Sequence, residues 1–305
     1  MLIAGCLGYD TITTPFDKIE KILGGASAYS ALAASYFCNK VKILSVVGGD
    51  FDDSYFKLFQ KKKIDISGIE IRKDLKSFRW HGKYYNDMNI CKTMYVELNA
   101  IEQFEPVIPK SYQNSKYLLI GSLDPVKQRK TIEGFKKRPK LIMMDTQNYW
   151  ITHNYEELIK TLAIVDILTI NDEEARHLSG EYSLSKAAKK ILKFGPKFLI
   201  INKGKHGTLL FHKKNVFFAP SLPLEEIFDP TGSGDSFSGG FLGYICKTHD
   251  MSFDNMKRAV IFGSAIASFC VEKFGTEMIQ NITVNKLNQR VQDFINLVQF
   301  DFSIK

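Results

Sequence analysis

The stretch "IFDPTGSGDSFSGGFLGY", Ile227 to Tyr244, sets Gly232, Ser233, Gly234 and then an acid, Asp235, at the start of a segment patterned as a helix. The first N–H groups of a helix have no carbonyl to bind, and the helix dipole adds partial positive charge, so such an end suits an anion. Glycine admits a phosphate close to the main chain without an intervening Cβ. Asp235, one position further, could take a proton from an incoming hydroxyl. An anion cradle and a positioned base are the two parts that phosphoryl transfer needs. The same residues also suit ordinary helix capping, and the motif by itself leaves both readings open.

Other residues of the same chemical character are scattered along the chain. Asp10 ends the first apolar run; its carboxylate could accept hydrogen bonds from two adjacent hydroxyls, or serve only as a turn residue before Thr11. "INDEEA" from Ile170 supplies Asn171 and Glu174, oxygen ligands of the kind Mg²⁺ takes sparingly among its waters, and equally an acidic helix start. "INKGKHGTLLF" puts Lys203, Gly204 and Gly207 at a turn between two strands, and "AIASFCVEKFG" ends an apolar helix at Gly275. Asp145, Gln147 and Asn148 in "DTQNYWI" follow an apolar run, where the ligands of open α/β sheets collect and where strands simply end. The sequence has no GxxxxGK[ST], and Gly5 and Gly8 do not complete GxGxxG, so the P-loop and dinucleotide-binding plans are set aside.

These residues need a frame. Apolar, β-rich runs from Leu2, Val41, Lys116, Lys140, Val165 and Lys197 alternate with helix-like stretches at 26–37, 51–62, 125–137, 155–162, 172–178 and 185–194. Near-continuous apolar runs separated by helices predict an α/β fold with a mainly parallel sheet covered on both faces. Two regions depart from this rhythm: 11–21 and 66–97 read as extended chain without helices, predicting a small separate sheet that carries Phe78, Trp80, Tyr84 and Tyr85. Helices are predicted over 233–247, 253–274 and 284–300. With 305 residues, 45% of them hydrophobic, the chain can bury a substantial core. The five cysteines are isolated in sequence and lie mostly in apolar runs, which predicts buried thiols in a reducing compartment and no zinc site. The net charge of +8 is spread along the chain, so it predicts a soluble lysine-rich surface, with no nucleic-acid partner and no membrane span.

With these pieces in place, the chain resembles the ribokinase-like, phosphofructokinase-B (PfkB) family of carbohydrate and nucleoside kinases. "DPTGSGD" from Asp229 is similar to that family's C-terminal signature, with Ser233 where Ala is usual; "LGGASAYSALAASYF" from Leu23 resembles its N-terminal glycine-pair segment, and "INDEEA" its N-x-x-E motif. "GSLDP" and "DTQNYWI" look like a sugar-kinase branch within the family. The resemblance implies one ribokinase-like domain over 1–305, a three-layer α/β/α sandwich with a β-lid formed by about 11–21 and 66–97. It implies ATP and Mg²⁺ as cofactors, with K⁺ a further candidate. Asp235 is implied as general base, and Gly232, Ser233 and Gly234 as anion hole. Asn171, Glu174, Lys203, Gly204, Gly207 and Gly275 fall on the nucleotide side, with Glu174 near Mg²⁺ through water and Asp229 a candidate monovalent-cation ligand. Asp10, Gly24, Gly25, Ser27, Asp145 and Asn148 fall on the substrate side. The place of the asparagine that many sugar kinases carry after the glycine pair is taken here by Ala26, Ser27 and Ala28. The implied reaction is transfer of the γ-phosphate to a hydroxyl, a primary one by preference, of a sugar; the alternatives are a nucleoside as acceptor, or a non-catalytic binding protein of the same fold. A cytoplasmic location and a homodimer through the lid complete the expectations.

Overall fold

The computed structural model describes residues 1–299. Its N-terminal third holds β1 (Leu2–Ala4), β2 (Gly8–Thr13), β3 (Lys18–Gly24), α1 (Ala26–Ala34), β4 (Val41–Gly48), α2 (Asp53–Lys61), β5 (Ile64–Arg72), β6 (Phe78–Tyr84) and β7 (Cys91–Glu97). The middle repeats the strand–helix unit: β8 (Tyr117–Ile120), α3 (Pro125–Glu133), β9 (Leu141–Asp145), α4 (Asn148–His153), α5 (Tyr155–Leu162), β10 (Ile167–Asn171), α6 (Asp172–Ser179), α7 (Leu184–Ile191), β11 (Phe198–Asn202), β12 (Thr208–His212) and β13 (Asn215–Ala219). Three helices finish the chain, α8 (Ser233–Thr248), α9 (Phe253–Cys270) and α10 (Val284–Val298). Phe300, where the sequence predicts the last helix to end, lies outside the described residues.

The large sheet runs β13-β12-β11-β10-β9-β8-β1-β4-β5, parallel except at β12 and β13. Its inner strands are buried on both sides, and alternate residues serve opposite cores, while the edge strands β5 and β13 are partly exposed. Tyr117 and Leu119 pack with α1, α8 and α9 on one face, while Leu118 and Ile120 pack toward Ile132, Leu158 and Ala187 on the other. That is the three-layer sandwich the continuous apolar runs predict. The chain leaves β1 toward β4 on one side and later toward β9 from β8 on the other, so the sheet's order reverses between β1 and β8. Such a reversal opens a crevice at the strands' C-terminal ends, and Asp145 and Asn171 are the last residues of β9 and β10.

The small sheet runs β3-β2-β6-β7. Its extent corrects the predicted lid: residues 66–72 do not belong to it. They lie in β5, which pairs in parallel with β4 at the edge of the large sheet. The reason is the βαβ unit made by α2, whose short crossover returns the chain beside β4, with Ile64, Ile66 and Ile69 packed against the core. The first lid segment is correspondingly wider than 11–21, covering Gly8 to Gly24. Residues 148–153, of which the sequence reading covers only Asn148, form the short helix α4.

Candidate active site

The glycine pair and Asp10 fix one wall. Asp10 is 3% exposed on β2, with Ile22 opposite it on β3 and Trp80 beside it on β6. A Cβ on Gly24 would fall 2.2 Å from the Asp10 carboxyl carbon, so only glycine fits there. Gly25 has φ of 89° and lies against the Cys6 carbonyl, a conformation that also calls for glycine. Burial pushes the Asp10 carboxyl up to about 8, with the charges of Asp229 and Asp235 adding to the effect. Ser27 is fully buried, and among the described residues its hydroxyl has no partner.

The start of α8 forms the opposite wall. Gly232, the N-cap, has φ of 72° and lies flat on the Tyr29 ring of α1, where a Cβ would come within 2.3 Å. The Ser233 amide donates to the Pro230 carbonyl at 3.2 Å, and the Ser236 amide makes the first helical bond, to the Gly232 carbonyl, at 2.8 Å. Gly234 and Asp235 supply the first-turn donors between them. Gly234 is exposed, and a Cβ built on it would meet no atom within 4 Å, so this turn faces open space. The Ser30 hydroxyl of α1 donates to the Asp235 carbonyl at 3.0 Å and ties this turn to the glycine-pair helix. Desolvation pushes the Asp235 carboxyl up to about 7, the range a general base at neutral pH needs.

Asp229 is wholly buried and acts as a clamp. Its Oδ1 accepts from the Thr231 amide at 2.9 Å and its Oδ2 from the Gly275 amide at 2.8 Å. Gly275 has φ of 57°. One carboxylate thus joins the loop before α8 to the turn after α9, a use of both oxygens that needs no cation.

Asn171 and Glu174 make a reciprocal capping box: the Glu174 amide donates to Asn171 Oδ1 at 2.7 Å, and the Asn171 amide to Glu174 Oε2 at 2.8 Å. This leaves the Asn171 side-chain NH₂, a donor suited to a phosphate oxygen and unsuited to a cation, and the second Glu174 oxygen. Burial pushes Glu174 up to about 7. Asp145 is raised well above the ordinary carboxylate range, by burial and then by the charges of Asp235 and Glu174; its Oδ1 has no partner among the described residues. A buried carboxylate that feels the charges of two other acids and keeps one oxygen unpartnered fits a nearby Mg²⁺ ion held partly through water. No set of three or more His, Cys, Asp or Glu among the described residues converges tightly enough to enclose a metal directly. The Asn148 amide oxygen contacts His177 Nδ1 of α6 at 2.9 Å, so its side chain is already engaged.

Beyond β11, Gly204 to His206 form a 3₁₀ turn with Gly204 at φ 54° and Gly207 at φ 83°, closed by the Lys203 amide donating to the Gly207 carbonyl at 2.8 Å. The Lys203 ammonium lies 5.9 Å from the Phe218 ring centre.

Residues 5–282 match the family described as pfkB family carbohydrate kinase. The chain belongs to this family. It is therefore an ATP-dependent phosphotransferase by class. A cytidine kinase of Thermococcus kodakarensis is 29% identical over 249 residues, covering 80% of this chain and 88% of that protein. A nucleoside kinase of Burkholderia thailandensis, solved with inosine, superposes with a TM-score of 0.80 at 18% identity, covering 97% and 98% of the two chains. An E. coli protein described as a ribokinase II, solved with ATP and Mg²⁺, gives 0.75 at 19% identity over 95% and 98%. These neighbours share the ribokinase fold with this pfkB-family chain. Among the described residues, no helix is long and apolar enough to cross a membrane.

Sequence reasoning missed how the small sheet reaches this pfkB-family site. The Thr231 hydroxyl donates to Tyr84 Oη at 3.1 Å. Lys205 pairs with Asp87 at 2.8 Å, and Asn89 abuts Gly204 so closely that a Cβ there would lie 2.1 Å from its amide oxygen. "YYNDMNI" carries only generic turn chemistry, and nothing in its spacing points to a partner more than a hundred residues away.

Proposed function

We propose that this kinase transfers the γ-phosphate of ATP to the primary hydroxyl of a nucleoside. The observation that carries the acceptor reading is the pairing of Asp10 with Trp80 on neighbouring strands of the small sheet. A carboxylate that can take two sugar hydroxyls then shares a strand-pair position with Trp80, whose ring lies over Gly82 and could stack a base on its other face. The cytidine and nucleoside kinases among the relatives support this over the free sugar that the sequence alone favoured. A free sugar remains the second reading, supported by the family's description as carbohydrate kinases.

In this reading Asp235 accepts the hydroxyl proton as the oxygen attacks, and the Gly232, Gly234 and Asp235 amides at the start of α8 hold the charge that develops on the transferring phosphoryl group. Glu174 and Asp145 would hold Mg²⁺ on the nucleotide side, where it would supply charge neutralisation for the phosphates. Asn171 donates to phosphate, while the 204–207 turn and Gly275 border the nucleotide. Asp229 holds the two sides together as a clamp, and we assign it no ion. The small sheet acts as a lid that excludes water, a competing acceptor; its contacts through Asp87, Asn89 and Tyr84 support the arrangement seen as the closed one. Strand β7 is exposed along its whole length, with Met94, Tyr95 and Val96 among its side chains, which supports pairing of this sheet with that of a second copy.

The test is an ADP-release screen of cytidine, inosine, adenosine, ribose, fructose and fructose 6-phosphate, with light scattering to read the mass in solution. Nucleosides should turn over fastest, and Asp235→Asn should lose about 10²–10⁴-fold in kcat. Sugars outpacing every nucleoside would overturn the acceptor assignment, and parental activity in Asp235→Asn would overturn the base.

A further inference from the structure

Cys38 and Cys246 lie 208 positions apart in sequence, yet their sulfurs are 3.0 Å apart. Cys38 follows the C-terminal end of α1, and Cys246 sits in the last turn of α8. These are the two helices whose N-terminal ends form the candidate active site, where the glycine pair leads into one and Gly232 to Asp235 begin the other. They pack closely along their length because the contact residues are small: a Cβ on Gly239 would come within 2.2 Å of the Ser30 carbonyl, and one on Gly243 within 3.1 Å of the Ala34 Cα. Asp235 and Cys246 are eleven residues apart on one helix, about 16 Å at 1.5 Å per residue. The thiol pair therefore joins the same two helices at the end remote from the chemistry.

The pair can be reached and is polarised. A solvent-open cavity of about 380 Å³ is lined by both cysteines together with Lys40, Lys116, Tyr117 and His249. Cys38 is buried and Cys246 partly exposed. The hydrogen bond from the Cys246 thiol draws the Cys38 sulfur toward the thiolate and pushes the Cys246 pKa up. A single lowered thiol is the nucleophile that disulfide exchange requires, and the lining lysines suit an anionic oxidant. Forming the bond needs the sulfurs to close by about 1 Å, to the usual ~2.05 Å. The other three cysteines lack such a partner among the described contacts: Cys6 and Cys270 are buried singly and Cys91 is exposed.

We propose that Cys38 and Cys246 form a reversible disulfide that staples α1 to α8 behind the active site. With glutathione disulfide as oxidant, the Cys38 thiolate attacks one sulfur and displaces one glutathione thiolate. The Cys246 sulfur then attacks the Cys38 sulfur of the mixed disulfide and releases the second glutathione. Two protein thiols are oxidised by two electrons, one glutathione disulfide is reduced to two thiols, and the two protons lost by the protein end on the released glutathiones. Because the staple lies far from Asp235 and joins surfaces already in contact, the oxidised form keeps its turnover and gains resistance to unfolding.

The full chain is incubated with glutathione disulfide, denatured, alkylated with N-ethylmaleimide and weighed intact, then mapped as tryptic peptides; thermal melts are run with and without dithiothreitol. The reduced protein should take five alkyl groups and the oxidised protein three, with a Cys38–Cys246 linked peptide. Closing so long a loop should raise the melting temperature by roughly 5–10 °C, reversed by dithiothreitol. Cys38→Ser and Cys246→Ser, which change the same pair independently, should each abolish the rise. Five alkylated cysteines after oxidation, a linkage through Cys91 instead, or an unchanged melting temperature in the linked protein would overturn the proposal.

Discussion

Gly234→Ala separates the anion cradle from ordinary helix capping. Gly234 lies at the second position of α8, and its absent Cβ would meet nothing within 4 Å. The unliganded fold thus has room for the methyl group. Alanine is preferred to glycine inside a helix by roughly 0.5–1 kcal/mol, so the variant should melt at the parental temperature or about 1–2 °C higher. The active form is another matter. A phosphate oxygen bound by these amides sits about 2.9 Å from a nitrogen, on the side the methyl would occupy, and must be held off. Losing one donor of such a hole costs about 10²–10³-fold in turnover, so a fall of about 10²-fold, near 2.7 kcal/mol, is expected. The assay is ADP release at saturating ATP and acceptor, paired with a thermal melt. Turnover within about threefold of the parent would refute the cradle at Gly234, and a melting temperature lowered by several degrees would refute the open space on which the inference rests.

Four further outcomes follow from the same geometry. Ser233→Ala should change kcat by less than about twofold in the same assay, because the Ser233 amide already binds Pro230 and the cradle reading needs no hydroxyl. Turnover should rise with pH through about 7, since Asp235 must be deprotonated to act as base, and a pH–rate profile of Asp235→Asn should lack that limb. Asp87→Ala removes an exposed ion pair of at most about 1 kcal/mol, so initial rates should show a raised KM for ATP with the melting temperature unmoved. Asp166 accepts from Arg138, Lys197 and the Ile142 amide at the sheet's opposite end, so Asp166→Ala should cost about 2–3 kcal/mol in denaturant unfolding at unchanged kcat.

What the sequence disclosed and what it hid divide along a physical line. Strands buried on both faces need unbroken apolar runs, and "KYLLIGS" or "KFLIIN" can do little else in a chain of this length, so the large sheet and its layers are legible. Local chemistry is legible too: the glycine-rich start of α8 and the capping box of Asn171 and Glu174 are each set by residues within four positions of one another. Long-range pairing is not. "IDISGIEI" alternates as any half-buried strand does, and only its parallel register beside β4 excludes it from the lid. Asp229 reads in sequence as a candidate cation ligand, and its bond to the Gly275 amide, 46 positions later, is visible only in the fold.

The acidic character of the site is largely of this second kind, because Asp10, Asp145, Glu174 and Asp235 lie on four separate segments and gather only by folding. Their gathering has a measurable consequence. Below about pH 3, Asp10, Glu174 and Asp235 are protonated whether the chain is folded or unfolded. From there to about pH 7–8 the unfolded chain has released these protons while the folded chain retains them, so stability falls as pH rises through that window and levels off above it. Moving Glu174 alone from 4.5 to about 7 corresponds to roughly 3 kcal/mol. The unliganded protein should therefore melt at a lower temperature at pH 8 than at pH 5. Mg²⁺ with ATP should restore more stability at pH 8 than at pH 5, since a cation stabilises the ionised carboxylates and has little to gain from protonated ones. A melting temperature that is flat or rising from pH 5 to 8 without ligands would mean that these carboxylates are ionised in the empty site, and the assignment of a strained acidic centre awaiting a cation would fall with it.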